Sequence, residues 1–524
     1  MIHYDWIILD VQHHFLKCMP ENFFKPYKKN NFNLKRFSAM KHISFTIQTI
    51  EELKNGLEKN KTHIDAAQSI LAQIYTATCD PVWIRDLCKT IEHFDKRVII
   101  AGATTAGEIC EGRSITNTTV VSVSLFQSSS IVPFSLSVIP GSETEAGKAI
   151  AHKIQQLPSC IKGLLLLSTP MAIDCNAMIK TLYALAPGLP LFGAGAADYA
   201  NMINSFVFTN NAILDSGLVA VALTGKELHL SRHTFLGWES VGKTMTITKA
   251  KGFAVYEVDH QPAFNLYKKY LGIEADEQFL LNALDFPLLV KRGKHIIARV
   301  PVAVGEDGGI TFIADIHEGE RFRLGYCDLN YLLSQTRLIK QTLAEFAPQG
   351  IYLYSCAIRR LLLEQDIDLE LQPYEEIAPS AGFFTCGEFC GLDDQSQLLN
   401  ATIVVTALRE GNAEPCHIAK PYDETKKNIS PYQLRHNRIL TRFNHHLNAV
   451  TKDLVAANTQ LQKQLDEIKT LRGILPICAA CKKIRDDSGY WNQIEAYLYQ
   501  HSEAAFSHSI CPDCTKKLYP DFTD

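Results

Sequence analysis

Alternating apolar and polar segments divide most of this chain into short strands separated by helices. Apolar runs of strand length recur between residues 69 and 223: Ser69–Tyr75, Arg97–Ala101, Thr119–Leu125, Gly163–Leu167 and Gly217–Leu223. Stretches with helical periodicity lie between them, among them Glu143–Gln156 and Asn176–Leu185. Strands that alternate with helices are typical of α/β proteins, so the pattern predicts an α/β body.

The pattern changes four times along the chain, which predicts several domains, as a length of 524 residues also requires. The aromatic and basic residues 1–39 precede a second methionine, Met40, and we interpret them as an extension or a misassigned start. The first half of the body covers residues 40–250 and the second half covers 251–410. A polar linker (411–431), a coiled coil (432–474) and a cysteine module (475–524) follow.

A long heptad pattern follows the linker. Its apolar positions are spaced alternately by three and four residues: Leu440, Phe443, Leu447, Val450, Leu454, Ala457 and Leu461. Neither glycine nor proline interrupts residues 432–472, so one helix of about 60 Å is predicted. Because a lone helix leaves such a seam exposed, we expect a parallel homodimer, with a helix folded back on the body as the alternative.

The C-terminal module contains two Cys-x-x-Cys pairs, Cys478 with Cys481 and Cys511 with Cys514, separated by 29 residues. Two such pairs are typical of a closed tetrahedral Zn²⁺ site, so the four cysteines are the predicted ligands of one structural zinc. His501 and His508 are alternative ligands, and redox thiols or an iron–sulfur cluster are alternative uses. Trp491, Ile494 and Leu498 predict a helix between the pairs.

Charge and composition narrow the class of protein. The net charge is -4, and residues 476–524 carry five basic against seven acidic side chains, so nucleic-acid binding is not expected. The apolar runs are far shorter than a membrane span, and the N-terminus lacks the pattern of a signal peptide. The other eleven of the 15 cysteines are scattered along the chain, which fits a reducing compartment, and we expect a cytoplasmic protein.

Two glycine-rich loops, Ala101–Glu108 and Phe192–Asp198, resemble the signature loops of the FIST sensory domain of bacterial signalling proteins. Further matches lie in the second half, at Tyr256–Ala263, Tyr354–Arg360, Gly382–Glu388 and Asn400–Thr402. The resemblance implies a sensor that binds small molecules, amino acids among them, and passes the signal to an output module. The expected fold is therefore α/β: a two-part sensory body, a long coiled-coil helix and a small zinc-ribbon-like module.

Residues of the matched segments are the candidate ligand-binding residues. They are Thr104, Thr105, Gly107, Glu108, Gly193, Gly195, Asp198, Cys356, Arg359 and Glu388. Arg359 is the expected partner of a ligand carboxylate, and an ion pair with a nearby glutamate is the alternative. Thr104 and Thr105 would donate to a ligand or cap a following helix. The glycines would admit a ligand or allow close packing of backbone.

We therefore expect a protein without catalytic activity. It would contact an unidentified downstream partner through the cysteine module. One alternative is an enzyme with Cys356 as nucleophile and Glu388 as base, for which no recognised spacing is present. The other alternative is a zinc-ribbon regulator of transcription, which the acidic tail disfavours.

Overall fold

A computed structural model describes residues 40–157, 161–199, 203–392, 395–412, 432–473, 475–486, 488–501 and 505–520. Their contacts define two compact units. Unit 1 lies within Met1–Glu239 and Cys327–Asn428, and unit 2 within Ser240–Tyr326 and Ile429–Asp524. The compact units thus divide the chain differently from the predicted boundary at 250, because residues 327–412 pack with the N-terminal part of the chain. The N-terminal extension and most of the linker lie outside the described residues.

Unit 1 consists of three repeats with the same order of strands and helices, which the sequence did not reveal. The first contains β1 (Lys41–Ile47), α1 (Ile50–Lys59), α2 (Lys61–Asp65), β2 (Ser69–Thr76), α3 (Pro81–Phe94), β3 (Val98–Thr104), β4 (Glu108–Cys110), β5 (Arg113–Ile115) and β6 (Thr119–Phe126). The second contains β7 (Ser130–Ser137), α4 (Glu143–Gln155), β8 (Ile161–Ser168), α5 (Cys175–Leu185), β9 (Leu191–Gly195), β10 (Val207–Phe208), β11 (Ile213–Leu214) and β12 (Gly217–Thr224).

The third repeat is interrupted by part of unit 2. It begins with β13 (Leu228–Phe235) and resumes with α8 (Leu329–Phe346), β22 (Gly350–Cys356), α9 (Ala357–Leu363), α10 (Asp368–Glu375), β23 (Ser380–Thr385), β24 (Glu388–Leu392), β25 (Gln395–Leu399) and β26 (Ile403–Glu410). The interrupting segment is therefore inserted between β13 and α8, and α8 makes the connection that α1 and α2 or α4 make in the other two repeats.

The three repeats exchange their hairpins in a closed cycle. Each repeat forms a four-stranded sheet, and the hairpin of another repeat completes it to six strands. The orders are β1-β6-β2-β3-β10-β11, β7-β12-β8-β9-β24-β25 and β13-β26-β22-β23-β4-β5. In every sheet the second and third strands of the repeat run parallel, and the remaining pairs are antiparallel. Each sheet needs the hairpin of one other repeat, so no repeat forms its complete sheet alone.

Apolar side chains on the helix-facing side of each sheet explain why these segments form strands and helices. In the first repeat, Ile70, Ile74 and Ile100 of the sheet pack with Leu53 and Leu87 of the covering helices in one buried cluster. Thr49 accepts the backbone N–H of Glu52 in the first turn of α1, and Asp80 accepts that of Val82 in the first turn of α3, so both residues cap the starts of these helices. The predicted strands and helices of residues 69–223 all agree with the structure to within a few residues.

Unit 2 contains one eight-stranded antiparallel sheet, two short helices and the C-terminal elements. Its body comprises β14 (Trp238–Lys251), β15 (Ala254–Val258), β16 (Gln261–Pro262), α6 (Phe264–Leu271), α7 (Phe279–Ala283), β17 (Leu288–Arg292), β18 (His295–Arg299), β19 (Pro301–Val304), β20 (Ile310–Phe312) and β21 (Arg321–Cys327). The C-terminal elements are α11 (Tyr432–Gly473), β27 (Ile484–Arg485), β28 (Trp491–Asn492), α12 (Ile494–His501) and α13 (Pro512–Leu518). Trp491 lies on a strand, so the helix predicted through Trp491 begins only at Ile494.

The predicted long helix is present as α11, and its N-terminal half packs on α6 within unit 2. Phe443 makes edge contacts with the rings of Phe286 and Tyr326, at centroid distances of 6.3 and 4.9 Å. Asp453 accepts hydrogen bonds from Lys269, at 2.7 Å, and from Tyr270, at 3.0 Å. Phe443 was assigned to the dimer seam, and the structure gives it an intramolecular partner instead.

Candidate functional site

Three loops, one from each repeat, contact one another in a ring within unit 1. Each loop follows the third strand of its repeat, at residues 104–108, 195–199 and 385–388. The first and second loops are joined by Ala197 N–H to Thr104 O, at 2.9 Å. The first loop is joined to the end of β23, just before the third loop, by Ala106 N–H to Phe384 O, at 2.8 Å. The second and third are joined by Gly195 N–H to Gly387 O, at 2.9 Å. The exchanged hairpins thus bring together segments almost 300 residues apart.

The strand register identifies equivalent positions in the three loops. Gly102, Gly193 and Gly382 are equivalent, because each pairs with the second residue of an exchanged hairpin strand. By the same register, Glu108 and Glu388 are equivalent, and Val207 stands at their position in the second repeat. The first and third loops therefore share the pattern Thr-x-Gly-Glu, and the second has no carboxylate at this position.

Glu108 is fully buried and lies at the end of the first loop, where β4 begins. Its carboxylate accepts hydrogen bonds from the hydroxyl of Thr105 and, at 3.0 Å, from the hydroxyl of Tyr199. The backbone N–H of Thr118 supplies a third bond. Burial raises the pKa of Glu108 to about 7, although these bonds and the nearby Arg360 guanidinium counteract the rise. The donors to this carboxylate come from two repeats, and the arginine comes from the third.

Glu388 is bound in the corresponding way in the third loop and is also fully buried. The hydroxyls of Thr385 and Thr402 donate to its two carboxylate oxygens, and the backbone N–H of Thr402 donates at 3.3 Å. Burial raises the pKa of Glu388 to about 8, against the hydrogen bonds and the attraction of Arg359. All of these groups belong to the third repeat.

Hydrogen bonds within the protein occupy both threonines of the first loop. Thr104 Oγ1 accepts from the backbone N–H of Phe206 at 2.9 Å, and Thr105 donates to Glu108. No helix follows them, because the chain continues into β4. The prediction that they cap a helix was therefore wrong. Asp198 in the second loop accepts from the backbone N–H groups of Ile203 and Asn204, at 2.7 and 3.1 Å.

Close packing explains the glycines of the second and first loops. A Cβ atom at Gly193 would lie 2.0 Å from Leu166 O, and one at Gly195 would lie 2.4 Å from Cys386 O. Gly107 has a φ of 127° and faces the side chain of Arg360, whose Nη1 atom would lie 2.7 Å from an added Cβ. Of the two interpretations of these glycines, close approach of neighbouring groups is the one that the structure supports.

The structure gives Arg359 an internal partner. Its side chain is fully buried, and Nε and Nη2 donate to the two carboxylate oxygens of Glu370 on α10. Nη1 donates to Leu236 O and Ala401 O, at 2.8 and 3.0 Å. Arg359 therefore has the glutamate partner of the alternative interpretation, and its fork is not available to a ligand carboxylate.

Cys356 is also buried, and burial raises the pKa of its thiol far above the ordinary value, with the carboxylate of Glu388 adding to the rise. A protonated thiol without exposure is a poor nucleophile, so the geometry argues against the enzyme alternative. Among the described residues, the side chains at the ring that remain partly exposed are those of Cys79, Tyr199, Arg360 and Cys386. Their nearness depends on hairpin exchange, for which the sequence pattern contains no signal.

In the C-terminal module, the two members of each cysteine pair lie close together. Backbone N–H groups of Cys481 and Ala480 lower the pKa of Cys478, and those of Cys514 and Asp513 lower the pKa of Cys511. Backbone donors to sulfur suit metal-binding thiolates, so each pair fits half of a zinc site. Among the described residues, no three or more His, Cys, Asp or Glu side chains form a group able to hold a metal.

Comparison with known proteins identifies the body. The family model of the FIST N domain matches residues 73–261, and that of the FIST C domain matches residues 263–391. The chain is a FIST domain protein. FIST domains are associated with sensing in signal transduction, so the predicted family and its general role are confirmed. Both matched segments contribute loops to the ring.

More distant similarities add little. Uncharacterized proteins from two strains of Mycobacterium tuberculosis are 25% identical over 239 residues, which are 43% of this chain and 62% of theirs. A chorismatase and a cyanuric acid hydrolase align with 71% and 70% of this chain and 99% of their own, at 9% identity and TM-scores of 0.29 and 0.28. These scores are too low to support an inference. Among the described residues, no helix is long and apolar enough to cross a membrane.

Proposed function

We propose that this FIST domain protein is a cytoplasmic sensor that binds a small ligand at the ring of three loops. The observation that carries the proposal is the ring itself: hydrogen bonds connect all three repeats there, and four partly exposed polar or sulfur-containing side chains surround it. A ligand that contacts more than one loop would stabilise one arrangement of the three repeats over others. Differential binding of this kind is what a sensor needs.

The signal would reach the C-terminal elements through chain connections and contacts within unit 2. Unit 2 leaves and re-enters the third repeat at β13 and α8, and α8 leads to β22 and α9. Within unit 2, α11 contacts α6 through His446 and Asp453, and its Phe443 contacts Tyr326 of β21. A change in the third repeat can thus be transmitted along the backbone to the sheet that supports α11.

A thermal-shift screen on the full-length protein, with amino acids and small organic acids, tests this proposal. At a concentration of 100 times Kd, a true ligand stabilises the folded state by about 2.7 kcal/mol. Hydrogen exchange should then slow at residues 104–108, 195–199 and 385–388. A binder that protects only unit 2, or a screen without any saturable shift, contradicts the proposed site.

We also propose that α11 forms a parallel homodimer through an exposed row of leucines. Leu447, Leu454 and Leu461 repeat every seven residues and are 61%, 61% and 56% exposed. A second copy supplies a matching stripe, and burying one leucine contributes about 1.5–3 kcal/mol. Light scattering should give a dimer for the natural protein and a folded monomer for Leu454→Lys/Leu461→Lys. A natural protein that is already monomeric refutes the dimer.

Zinc is the proposed ion of the C-terminal module, held by Cys478, Cys481, Cys511 and Cys514. It would join the two pairs and stabilise a segment too small to fold by burial alone, forming a surface for an unidentified partner. Metal analysis should find one zinc per chain, and Cys481→Ser should abolish binding without changing the melting of unit 1. His508→Ala should leave the zinc content unchanged; a loss would indicate a site of three cysteines and one histidine.

A further inference from the structure

Two consecutive arginines on α9 make the same kind of contacts, with one difference. Arg359 donates through Nη1 to backbone carbonyl groups, and its guanidinium lies over the rings of Phe235 and Trp238, at 4.9 and 5.5 Å. Arg360 likewise donates through Nη1 to a carbonyl, Ala106 O. Its guanidinium lies over two rings at 5.6 and 5.7 Å, those of Tyr199 and Phe384.

The difference is at the edge of the guanidinium formed by Nε and Nη2. In Arg359 this edge holds both oxygens of the Glu370 carboxylate. In Arg360 the same edge has no hydrogen-bond partner among the described residues, and its nitrogens are not buried. Two parallel N–H groups at this spacing match a carboxylate in bidentate geometry. Within the described part of the chain, no carboxylate therefore fills beside Arg360 the position that Glu370 fills beside Arg359.

The position of Arg360 is fixed by the ring rather than left to a mobile side chain. Two aromatic rings and the Ala106 carbonyl hold the guanidinium, and the missing Cβ of Gly107 allows Nη1 to approach the loop. A preformed fork loses little conformational entropy on binding. The Glu108 carboxylate attracts Arg360 but accepts its hydrogen bonds from Thr105, Tyr199 and Thr118, and the hydrogen bond that Arg360 makes goes to Ala106 O instead.

We propose that the Nε and Nη2 edge of Arg360 binds the carboxylate of the small ligand, with Tyr199 and Phe384 beside it. This inference rests on the proposed function, and it specifies a carboxylate as the chemical class of the ligand. The Tyr199 hydroxyl also donates to Glu108. A ligand at Arg360 would therefore contact groups from the second and third repeats that are already linked to the first loop.

The test measures binding of propionate and succinate to the full-length protein by thermal shift and by ligand-observed NMR, with propionamide as the neutral analogue. Both carboxylates should bind and propionamide should not. Arg360→Lys should weaken carboxylate binding about tenfold, because the charge remains and the fork is lost. Arg360→Gln should abolish it. Arg85→Lys is the matched control, since Arg85 is an exposed arginine on α3, and it should bind as the natural protein does.

Several outcomes overturn the inference. Carboxylate binding that survives in Arg360→Gln places the carboxylate elsewhere, even if the ring still binds a ligand. Binding of inorganic phosphate in preference to both carboxylates assigns the fork to another class of anion. A large drop in the melting temperature of unliganded Arg360→Gln makes Arg360 a structural residue like Arg359. If the wider screen finds no ligand of any class, the proposed function itself fails.

Chemical labelling supplies a readout that does not depend on variants. Phenylglyoxal modifies accessible guanidinium groups, and mass spectrometry of the labelled, intact fold should detect modification at Arg360 and none at Arg359. Succinate should protect Arg360 and leave the labelling of Arg85 unchanged. Equal labelling of Arg360 with and without saturating succinate refutes the proposal.

Discussion

The first and third loops contain the same Thr-x-Gly-Glu pattern, yet their surroundings differ. Glu388 takes every hydrogen bond from its own repeat, and its neighbouring arginine, Arg359, is buried in an ion pair with Glu370. Glu108 takes hydrogen bonds from two repeats, and its neighbouring arginine, Arg360, comes from the third and is partly exposed. The glutamate of the third loop is therefore held by its own repeat alone. The glutamate of the first loop interacts with groups from three repeats, and one of these groups, Arg360, is accessible to solvent.

The largest expected effect concerns the two arginines. Arg359→Ala leaves Glu370 buried without its partner, which should lower the free energy of unfolding by about 3–5 kcal/mol. Arg360→Ala removes a partly exposed side chain and should cost about 1 kcal/mol or less. Urea denaturation of both variants measures the contrast. Equal losses would mean that Arg360 is as structural as its neighbour and would remove the distinction between the loops.

The second effect is a dependence of stability on pH. The native pKa of each glutamate is raised from 4.5, to about 7 for Glu108 and about 8 for Glu388. The unfolded chain therefore releases these protons at lower pH than the native protein does. The stability that each protonated carboxyl contributes is complete below about pH 4.5 and is lost as the pH rises, up to about 7 for Glu108 and about 8 for Glu388.

Glu108→Gln and Glu388→Gln should each remove part of the loss of stability with rising pH. The effect of Glu388→Gln should be larger, because the pKa of Glu388 is raised further. Denaturation of the natural protein and both variants between pH 4 and pH 9 provides the measurement. Arg360→Gln should in addition raise the pKa of Glu108 and leave that of Glu388 unchanged, because Arg360 attracts only the Glu108 carboxylate. Parallel stability curves for all variants would show that neither carboxyl titrates in this range.

The smallest effect separates the two loop glycines. Gly107 and Gly387 have φ values of 127° and 87°, so alanine is strained at both and should cost about 1–3 kcal/mol. Only Gly107→Ala also displaces the Arg360 side chain. In Gly107→Ala, succinate should therefore protect Arg360 less well from modification by phenylglyoxal. In Gly387→Ala, this protection should be the same as in the natural protein. Loss of protection in both variants would mean that strain in either loop disturbs the position of Arg360.

The sequence alone determined the local elements and the family. Hydrophobic periodicity predicted the strands from Ser69 to Leu223 and the continuous helix from Tyr432, because period and length depend only on nearby residues. The loops Ala101–Glu108 and Phe192–Asp198 were enough to indicate the FIST domain. Local pattern also gave Thr105 and Glu108 as candidate binding residues, and the structure adds the hydrogen bond between them.

The tertiary structure decided which of these residues meet. The hairpin at Glu108–Ile115 pairs with a strand at Ser380–Thr385, and short-range pattern contains no information about a partner so far along the chain. Consecutive residues on a helix point about 100° apart, so Arg359 and Arg360 face different surroundings. One meets Glu370 in the interior, and the other meets the exchanged loops. The sequence predicted Arg359 as the ligand residue. It could not separate Arg359 from Arg360, because both have the same side chain and only the packing around them differs.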